Sequence, residues 1–445
     1  MAGAAAKRRR CTRGGITTLP EHALHEILSR VGNIKDLFMF AVTCRWWLRR
    51  FTDPDFLREL CPGAGEGHRA RLLGFFLQKT RFDRRQSMVE LREKQHASAF
   101  APTFLPAPGS PLGPTDCALT SFIADDDGTF NYAEPLAARR GIVLMQLVPR
   151  TFEPGRHLLL GLCNPITGER QVLPPPESCI GICTNNPLDR DVHSYAIITA
   201  ADIDRDGWKR PRSSSSGRFT FSQLLITTAH AGQLHLHSYS AATRSWSAPT
   251  VCLDSYCFSL VGDRSAIVHQ GAAHWLCIDF HRRDHNIYKL SVQVGTTRIS
   301  MTKLPVRGGG KPLLCVSRDG KLAVTCVNPT HVTIWIQQAD DDTPAAWPRT
   351  AFTIPLSVPS RILPPTFQPN EKWFDFNRGS MLALYRNSGV FIVDIEKKVM
   401  EKVMDCFQHL FVGKVNQTSV AYEMDLVEFF VLQLGGLCRG LNVNH

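Results

Sequence analysis

Five segments of this chain share one phrase: an apolar, strand-like run, a polar turn, and then in most cases a Trp or a Leu-Pro pair. They begin at His157 (HLLLGLCNPITGERQVLPP), Leu234 (LHLHSYSAATRSWSAP), Ile287 (IYKLSVQVGTTRISMTKLP), Val332 (VTIWIQQADDDTPAAWP) and Val390 (VFIVDIEKKVMEKV). The starts lie 77, 53, 45 and 58 residues apart, and the loop Asp204–Gly217 accounts for the long first interval. Blades of a β-propeller recur every ~40–50 residues. One or two further short strands precede each phrase, as in 265–280 (SAIVHQGAAHWLCIDF) and 313–327 (LLCVSRDGKLAVTCV). Small antiparallel sheets of this kind leave open edges, and radial repetition is one way to protect them. The expected fold over 117–430 is therefore a degenerate propeller of six or seven blades, closed with help from strands near 120–132 and 410–425. A pair of β-sandwich domains is the alternative.

The first sixty residues follow a different period. Thr18 can cap a helix, Pro20 suits a first turn, and Glu21 favours the positive helix end. Leu24, Ile27, Leu28 and Val31 recur at helical spacing, and Gly32 ends the segment. A second helix carries two stripes: Leu37, Phe40, Ala41, Cys44, Leu48 and Phe51 on one, and Phe38, Val42 and Trp46 on the other. One stripe is enough for a helix buried on one side. Two on a unit of roughly 45 residues, marginal by itself, predict that the second meets a partner.

Leu19-Pro20, Ile27-Leu28, Asp36-Leu37, Val42, Cys44-Arg45, Trp47 and the Asp53-Pro54-x-Phe56-Leu57 ending occur in the order of an F-box, which this segment resembles. The resemblance covers about a tenth of the chain. It implies a three-helix module that binds the Skp adaptor of a cullin-type ubiquitin ligase. Leu19, Pro20, Ile27, Leu28, Leu37, Val42, Cys44 and Trp47 would build the module and its Skp-facing surface. Phe38-Met39-Phe40 is bulkier than the family usually shows there. The long β-rich part is similar to the kelch-like recognition half of plant F-box proteins. Cys163-Asn164-Pro165-x-Thr167-Gly168 leading to Leu173-Pro174-Pro175 carries that similarity, as do 271–276 (GAAHWL) and 422–426 (YEMDL). These phrases read as blade grammar, with turns at Asn-Pro and Thr-Gly and Trp275 filling space between sheets.

The organisation expected is a basic tail (1–15), the F-box (16–60), a linker with one short strand (61–116), the propeller (117–430) and a C-terminal tail (431–445). Within the linker, 72–77 (LLGFFL) is the buried strand, and Pro102 to Pro114 reads as turn material. The fold class is thus α+β and multidomain.

Charge locates the remaining expectations. Residues 1–100 hold 19 Lys/Arg and 10 Asp/Glu, a net of +9, whereas the whole chain carries 51 − 40 = +11. The β-rich part is therefore nearly neutral, and nucleic acid is not an expected partner. The run Lys7-Arg8-Arg9-Arg10 is either a nuclear-import signal or a solvated tail. No apolar stretch approaches the roughly 18 residues of a membrane span, and no apolar h-region follows the basic start. Cytoplasm or nucleus is the expected location, and no membrane partner is expected. The fourteen cysteines are scattered without a C-x-x-C, so reduced thiols packed as small apolar groups are expected, with neither disulfides nor zinc.

Four local patterns hint at chemistry and fall short. Asp202-x-Asp204-x-Asp206-Gly207 opens like a calcium loop, but Ser213 stands where a bidentate Glu is required. Gly308-Gly309-Gly310-Lys311 lacks the following Ser/Thr and the upstream glycine of a phosphate loop. His230, His235 and His237 lack placed carboxylate or thiol partners, and a polar outer strand face is expected for the last two. Asn416-Gln417-Thr418 is a formal glycosylation sequon. No catalytic residue, metal or cofactor is expected. The function expected is that of a non-catalytic substrate adaptor in a Skp–cullin–F-box ligase, holding a client protein on its β domain. A scaffold outside any ligase is the alternative, with a propeller hydrolase or lectin behind it.

Overall fold

The computed structural model describes residues 19–60 except 32–33, then 72–78, 102–107, 130, 133–147, 159–176, 192–199, 202, 221–306 (less 231, 255, 263–264 and 281–285), 310–338, 347–348, 351–356, 371–405 (less 377–378 and 386–387) and 418–434 (less 432–433). Four short helices come first: α1 (Glu21–Ser29), α2 (Ile34–Ala41), α3 (Arg45–Arg50) and α4 (Pro54–Leu60). Strands β1 (Leu72–Gln78) and β2 (Thr103–Pro106) follow.

Five antiparallel sheets then succeed one another. The first holds β3 (Glu134–Arg139), β4 (Ile142–Leu147), β5 (Leu159–Asn164) and β6 (Glu169–Val172). In the second, β7 (Val192–Thr199), β8 (Phe221–His230) and β9 (Gln233–Ser240) are edged by β10 (Ser245–Trp246) and β11 (Thr250–Asp254), both on β9. The third has a divided inner strand, β12 (Phe258–Val261) and β13 (Ile267–His269), against β14 (Ala272–Asp279), then β15 (Ile287–Gln293) and β16 (Ile299–Lys303). The fourth is β17 (Lys311–Val316), β18 (Leu322–Val327), β19 (His331–Ile336) and β20 (Phe352–Pro355). The fifth is β21 (Glu371–Phe376), β22 (Ser380–Tyr385), β23 (Gly389–Asp394) and β24 (Val399–Met404). Strand β25 (Thr418–Glu423) joins β1 and β2 in a sixth sheet, ordered β2-β1-β25.

The sheets form a six-bladed propeller because their strands are apolar on both faces. In β4, Ile142 and Leu144 pack on the second sheet, while Val143, Met145 and Leu147 pack on the sixth. In β22, Met381 and Ala383 face the fourth sheet, whereas Leu382 and Leu384 face β1. Alternation places successive side chains on opposite faces, so an unbroken apolar run demands a neighbouring sheet on each side. A ring meets that demand without leaving an end blade bare, which excludes the two-sandwich alternative. Each such Leu or Ile removed from water contributes roughly 1.5–3 kcal/mol.

The five repeated phrases fall on the third strand of each of the first five blades and the turn behind it. Four of those turns share one geometry. The last strand residue (Asn164, Ser240, Gln293 or Asp394) is followed four positions later by one with positive φ: Gly168 (76°), Arg244 (55°), Thr297 (52°) and Lys398 (54°). Asn164 Oδ1 accepts from the N–H groups of Ile166 and Thr167, and Asp394 Oδ1 from those of Glu396 and Lys397. The Asn-Pro and Thr-Gly phrase is therefore turn chemistry, as the sequence implies.

Three expectations need correction. Pro102 to Pro114 is not wholly turn material: β2 lies within it, and Phe104 is fully buried against Phe76 and Tyr422. Proline is tolerated there because Pro106 ends an edge strand. The stretch expected as linker therefore supplies two of the three strands of the closing blade. The second helix is not continuous, since Thr43 Oγ1 donates to the Phe40 carbonyl and Cys44 is extended (φ −155°), splitting it into α2 and α3. The F-box-like segment thus holds four short helices instead of three. Finally, the C-terminal residues are not simply a tail: 426–431 are helical, with Val431 and the fully buried Leu434 in the core shared with α1–α4. Of the expected closing strands, β25 lies in 410–425, while residues 120–129 fall outside the described set.

Candidate functional site

The helical module is pinned on its inner side. Leu24 and Leu28 of α1, Leu37, Phe38 and Ala41 of α2, Trp47 and Leu48 of α3, Phe51, and Phe56, Leu57 and Leu60 of α4 belong to one core. Arg50 of α3 pairs with Glu21 at 2.5 Å, and His25 Nδ1 lies 3.3 Å from Glu59. The Arg50 guanidinium also sits 5.3 Å from the Phe56 ring, so α1, α3 and α4 are tied by packing and by charge.

That arrangement divides the eight residues singled out from the sequence. Leu28, Leu37 and Trp47 are interior and hold the module together. Leu19, Pro20, Ile27, Val42 and Cys44 are exposed, Ile27 at 52% and Val42 at 39%. Pro20 is the residue before α1 (ψ 148°) instead of part of its first turn, and Thr18, expected as a cap, lies outside the described residues. Sequence reading did not single out Met39, which is 54% exposed and one turn from Val42. Val42 directly follows α2 and its N–H still donates to the Phe38 carbonyl at 3.3 Å, so it lies on the same side as Met39, three residues before it. Phe38 belongs to the stripe expected to meet a partner protein, but its partners are Phe429 and Phe430 of the chain's own C-terminal segment, at ring distances of 6.0 and 6.2 Å.

Asp202 and His237 are the residues of the patterns hinting at chemistry whose surroundings are best defined. The Asp202 carboxylate is engaged within the propeller. It accepts from Arg139 Nη1 and Nη2 at 2.5 and 2.7 Å and from the Thr199 N–H at 2.8 Å. Burial alone would push this carboxyl up. The bonds and charge of Arg139, with Arg140 at 3.6 Å, outweigh it and hold the group at about 2. The other calcium-loop positions lie outside the described residues, as do Gly308 and Gly309. His237 is not on a polar outer face: it is buried with Nε2 2.8 Å from Thr228 Oγ1. His274 matches it one blade on, with Nδ1 2.8 Å from Ser291 Oγ. Cys163, Cys252, Cys277, Cys315 and Cys326 are free and buried, and no group of three or more His, Cys, Asp or Glu poised for a metal occurs among the described residues.

The two histidines set a pH dependence. Burial, aided by the charge of His235, lowers His237 to about 4; burial, aided by Lys289 and His269, lowers His274 to about 3. A base whose folded pKa lies below its unfolded value contributes stability that is complete above about pH 6.5 and is lost as pH falls towards the folded values. The urea midpoint of the ring should therefore fall steadily from pH 6.5 to pH 4.5. A flat midpoint over that range would show that neither imidazole is held neutral.

Strand polarity separates the two ends of the ring. The turns after β3 and after each third strand lie at one end, where Gly141 meets Met424 and Phe429 of the C-terminal segment. The other end carries the connections between second and third strands and between blades. Among its described residues, Tyr256 is 78% exposed, its ring lying over the Gly232 turn.

The fold and this surface define a six-bladed β-propeller with an N-terminal helical module. The chain belongs to the family DUF7595, a domain of unknown function, whose model matches residues 115–357. That match spans the first four blades. No curated protein matches the chain. Among solved structures, TolB from Acinetobacter baumannii aligns with 79% of this chain and 68% of its own at 12% identity and a TM-score of 0.34. An α-L-arabinanase from Penicillium chrysogenum aligns over 66% and 83% at 10% identity and 0.35. A prolyl endopeptidase aligns at 12% identity and 0.33; the match spans 60% of this chain and about a third (36%) of the peptidase's length. Likenesses of this size say nothing of what the chain does.

Proposed function

We propose that the chain is the client-binding subunit of a Skp–cullin–F-box ubiquitin ligase, with the helical module holding the Skp adaptor and the propeller holding a client protein. The observation that carries this reading is the division within the F-box-like landmarks. Leu28, Leu37 and Trp47 are spent on the core, whereas Leu19, Ile27, Val42 and the neighbouring Met39 are apolar yet turned to solvent. Exposed aliphatic side chains on so small a module suit burial by a partner. Catalysis would belong to the assembled ligase: the chain makes and breaks no bond, and raises the effective concentration of a client lysine at the conjugating enzyme.

The test is capture of purified Skp adaptor and cullin by the intact chain, beside a Leu19→Ala, Pro20→Ala variant. Capture that the variant weakens supports the proposal. A folded intact chain that captures neither protein overturns it. Capture without any change in client turnover would instead identify a scaffold outside the ligase.

A further inference from the structure

We infer that closure of the propeller and presentation of the helical module are a single conformational event, locked by residues 422–431 together with Leu434. Helix α4 leads into β1, the middle strand of the closing sheet, and β25 pairs with β1 along its length, from Leu72↔Glu423 to Gln78↔Thr418. Directly behind β25, Asp425 caps the helix at 426–431, its Oδ1 accepting from the Glu428 N–H at 3.0 Å. One face of this segment seals the ring to the first blade. Tyr422 Oη donates to the Gly141 carbonyl, and Glu428 pairs with Arg140 at 2.6 Å. The other face is the floor of the module, where Phe430 lies 5.5 Å from Phe51 and 6.2 Å from Phe38.

The module has little to hold it otherwise. Its helices are 9, 8, 6 and 7 residues long, well below the length at which a helix persists alone in water. Phe51 and Ala41 are fully buried in a core that they share with Phe429, Phe430 and Leu434 of the C-terminal segment. The segment starts two residues beyond the last β1–β25 pair, Leu72↔Glu423, so the pairing of β25 holds it in that place. A chain with an open seam therefore has ordered blades but a loosened module. Resting on the proposed function, this makes adaptor binding conditional on a completed receptor: an unfinished or C-terminally truncated chain would not present Ile27 and Val42 in order.

Hydrogen exchange on the full chain, with no adaptor present, tests the coupling separately from the ligase proposal. In Phe430→Ala, amides of residues 21–60 should exchange about a hundredfold faster, while those of β14 and β18 keep their protection. In Val420→Asp, which opens the seam, the same helices should loosen although none contains the substituted residue. Wild-type exchange in low urea needs no variant: amides of α1–α4 and of β1 and β25 should share one urea dependence. Helices that stay protected in Phe430→Ala, or that open at lower urea than the seam, overturn the inference. If the coupling holds and the adaptor is nonetheless not captured, the ligase proposal alone fails.

Discussion

An Ile27→Asp, Val42→Asp double variant should bind the Skp adaptor at least about a hundredfold more weakly than the intact chain and unfold at nearly the same urea concentration. Both side chains are largely exposed, so replacing them removes little from the core of the free protein. In an adaptor complex each would be buried, and a buried, unpaired carboxylate costs several kcal/mol before the lost apolar contact is added. Two such changes exceed the roughly 2.7 kcal/mol that a hundredfold represents. Trp47→Ala and Leu28→Ala should behave in the opposite sense, lowering stability by about 2–5 kcal/mol because both side chains are interior. Calorimetric titration and urea unfolding of the four proteins separate the effects. Unchanged affinity in the double variant would mean that these side chains are not the contact surface.

The second large effect is on the ring. Asp202→Ala should lower its stability by about 3–5 kcal/mol, the usual result of removing one partner of a buried pair. Arg139 donates twice to this carboxylate and once to the Ile197 carbonyl at 3.0 Å, joining the first and second blades. Without Asp202 its charge would stay in a largely buried position, with Glu428, already engaged by Arg140, and Glu423 as the carboxylates left near it. An Arg139→Met, Asp202→Leu double variant should recover most of the loss, since neither charge then remains. Tryptophan fluorescence during urea unfolding gives both numbers, and a loss below about 1 kcal/mol in Asp202→Ala would mean that water replaces the carboxylate. The pH dependence has a definite sign. The carboxyl is held at about 2, below its ordinary 3.8, so its contribution is complete above about pH 4 and disappears as pH falls to 2. Glu428 acts oppositely: burial, only partly offset by Arg140, raises its pKa, so protonating it relieves a cost. Asp202→Ala should therefore flatten the acid limb between pH 4 and 2.

The sequence by itself determined the elements whose signal is local. The five recurring phrases marked the third strand of five blades, since an apolar run and, in four of them, a turn with αL geometry at its end are written in adjacent residues. The same holds for LLGFFL as β1, for Trp275 between the second and third blades, and for the buried free thiols. The order Leu19-Pro20 to Phe56-Leu57 located the helices, but periodicity could not say which of those side chains face outwards. In α2, Phe38 and Met39 are neighbours of similar hydrophobicity; one is buried by Phe429 and Phe430 and the other is left in water.

Only the tertiary structure decided the rest. The closing blade takes β1 and β2 from one end of the chain and β25 from the other, and the burial of both faces of β1 rewards that pairing more than any local preference. Phe104 in a proline-bounded tetrapeptide, His237 against Thr228, and the helix at 426–431 beneath the module are likewise products of non-local burial. Spacing along a chain fixes which residues share a face, whereas the neighbour that covers the face is chosen by contacts hundreds of residues away. That choice makes Phe38 core and leaves Ile27 and Val42 exposed.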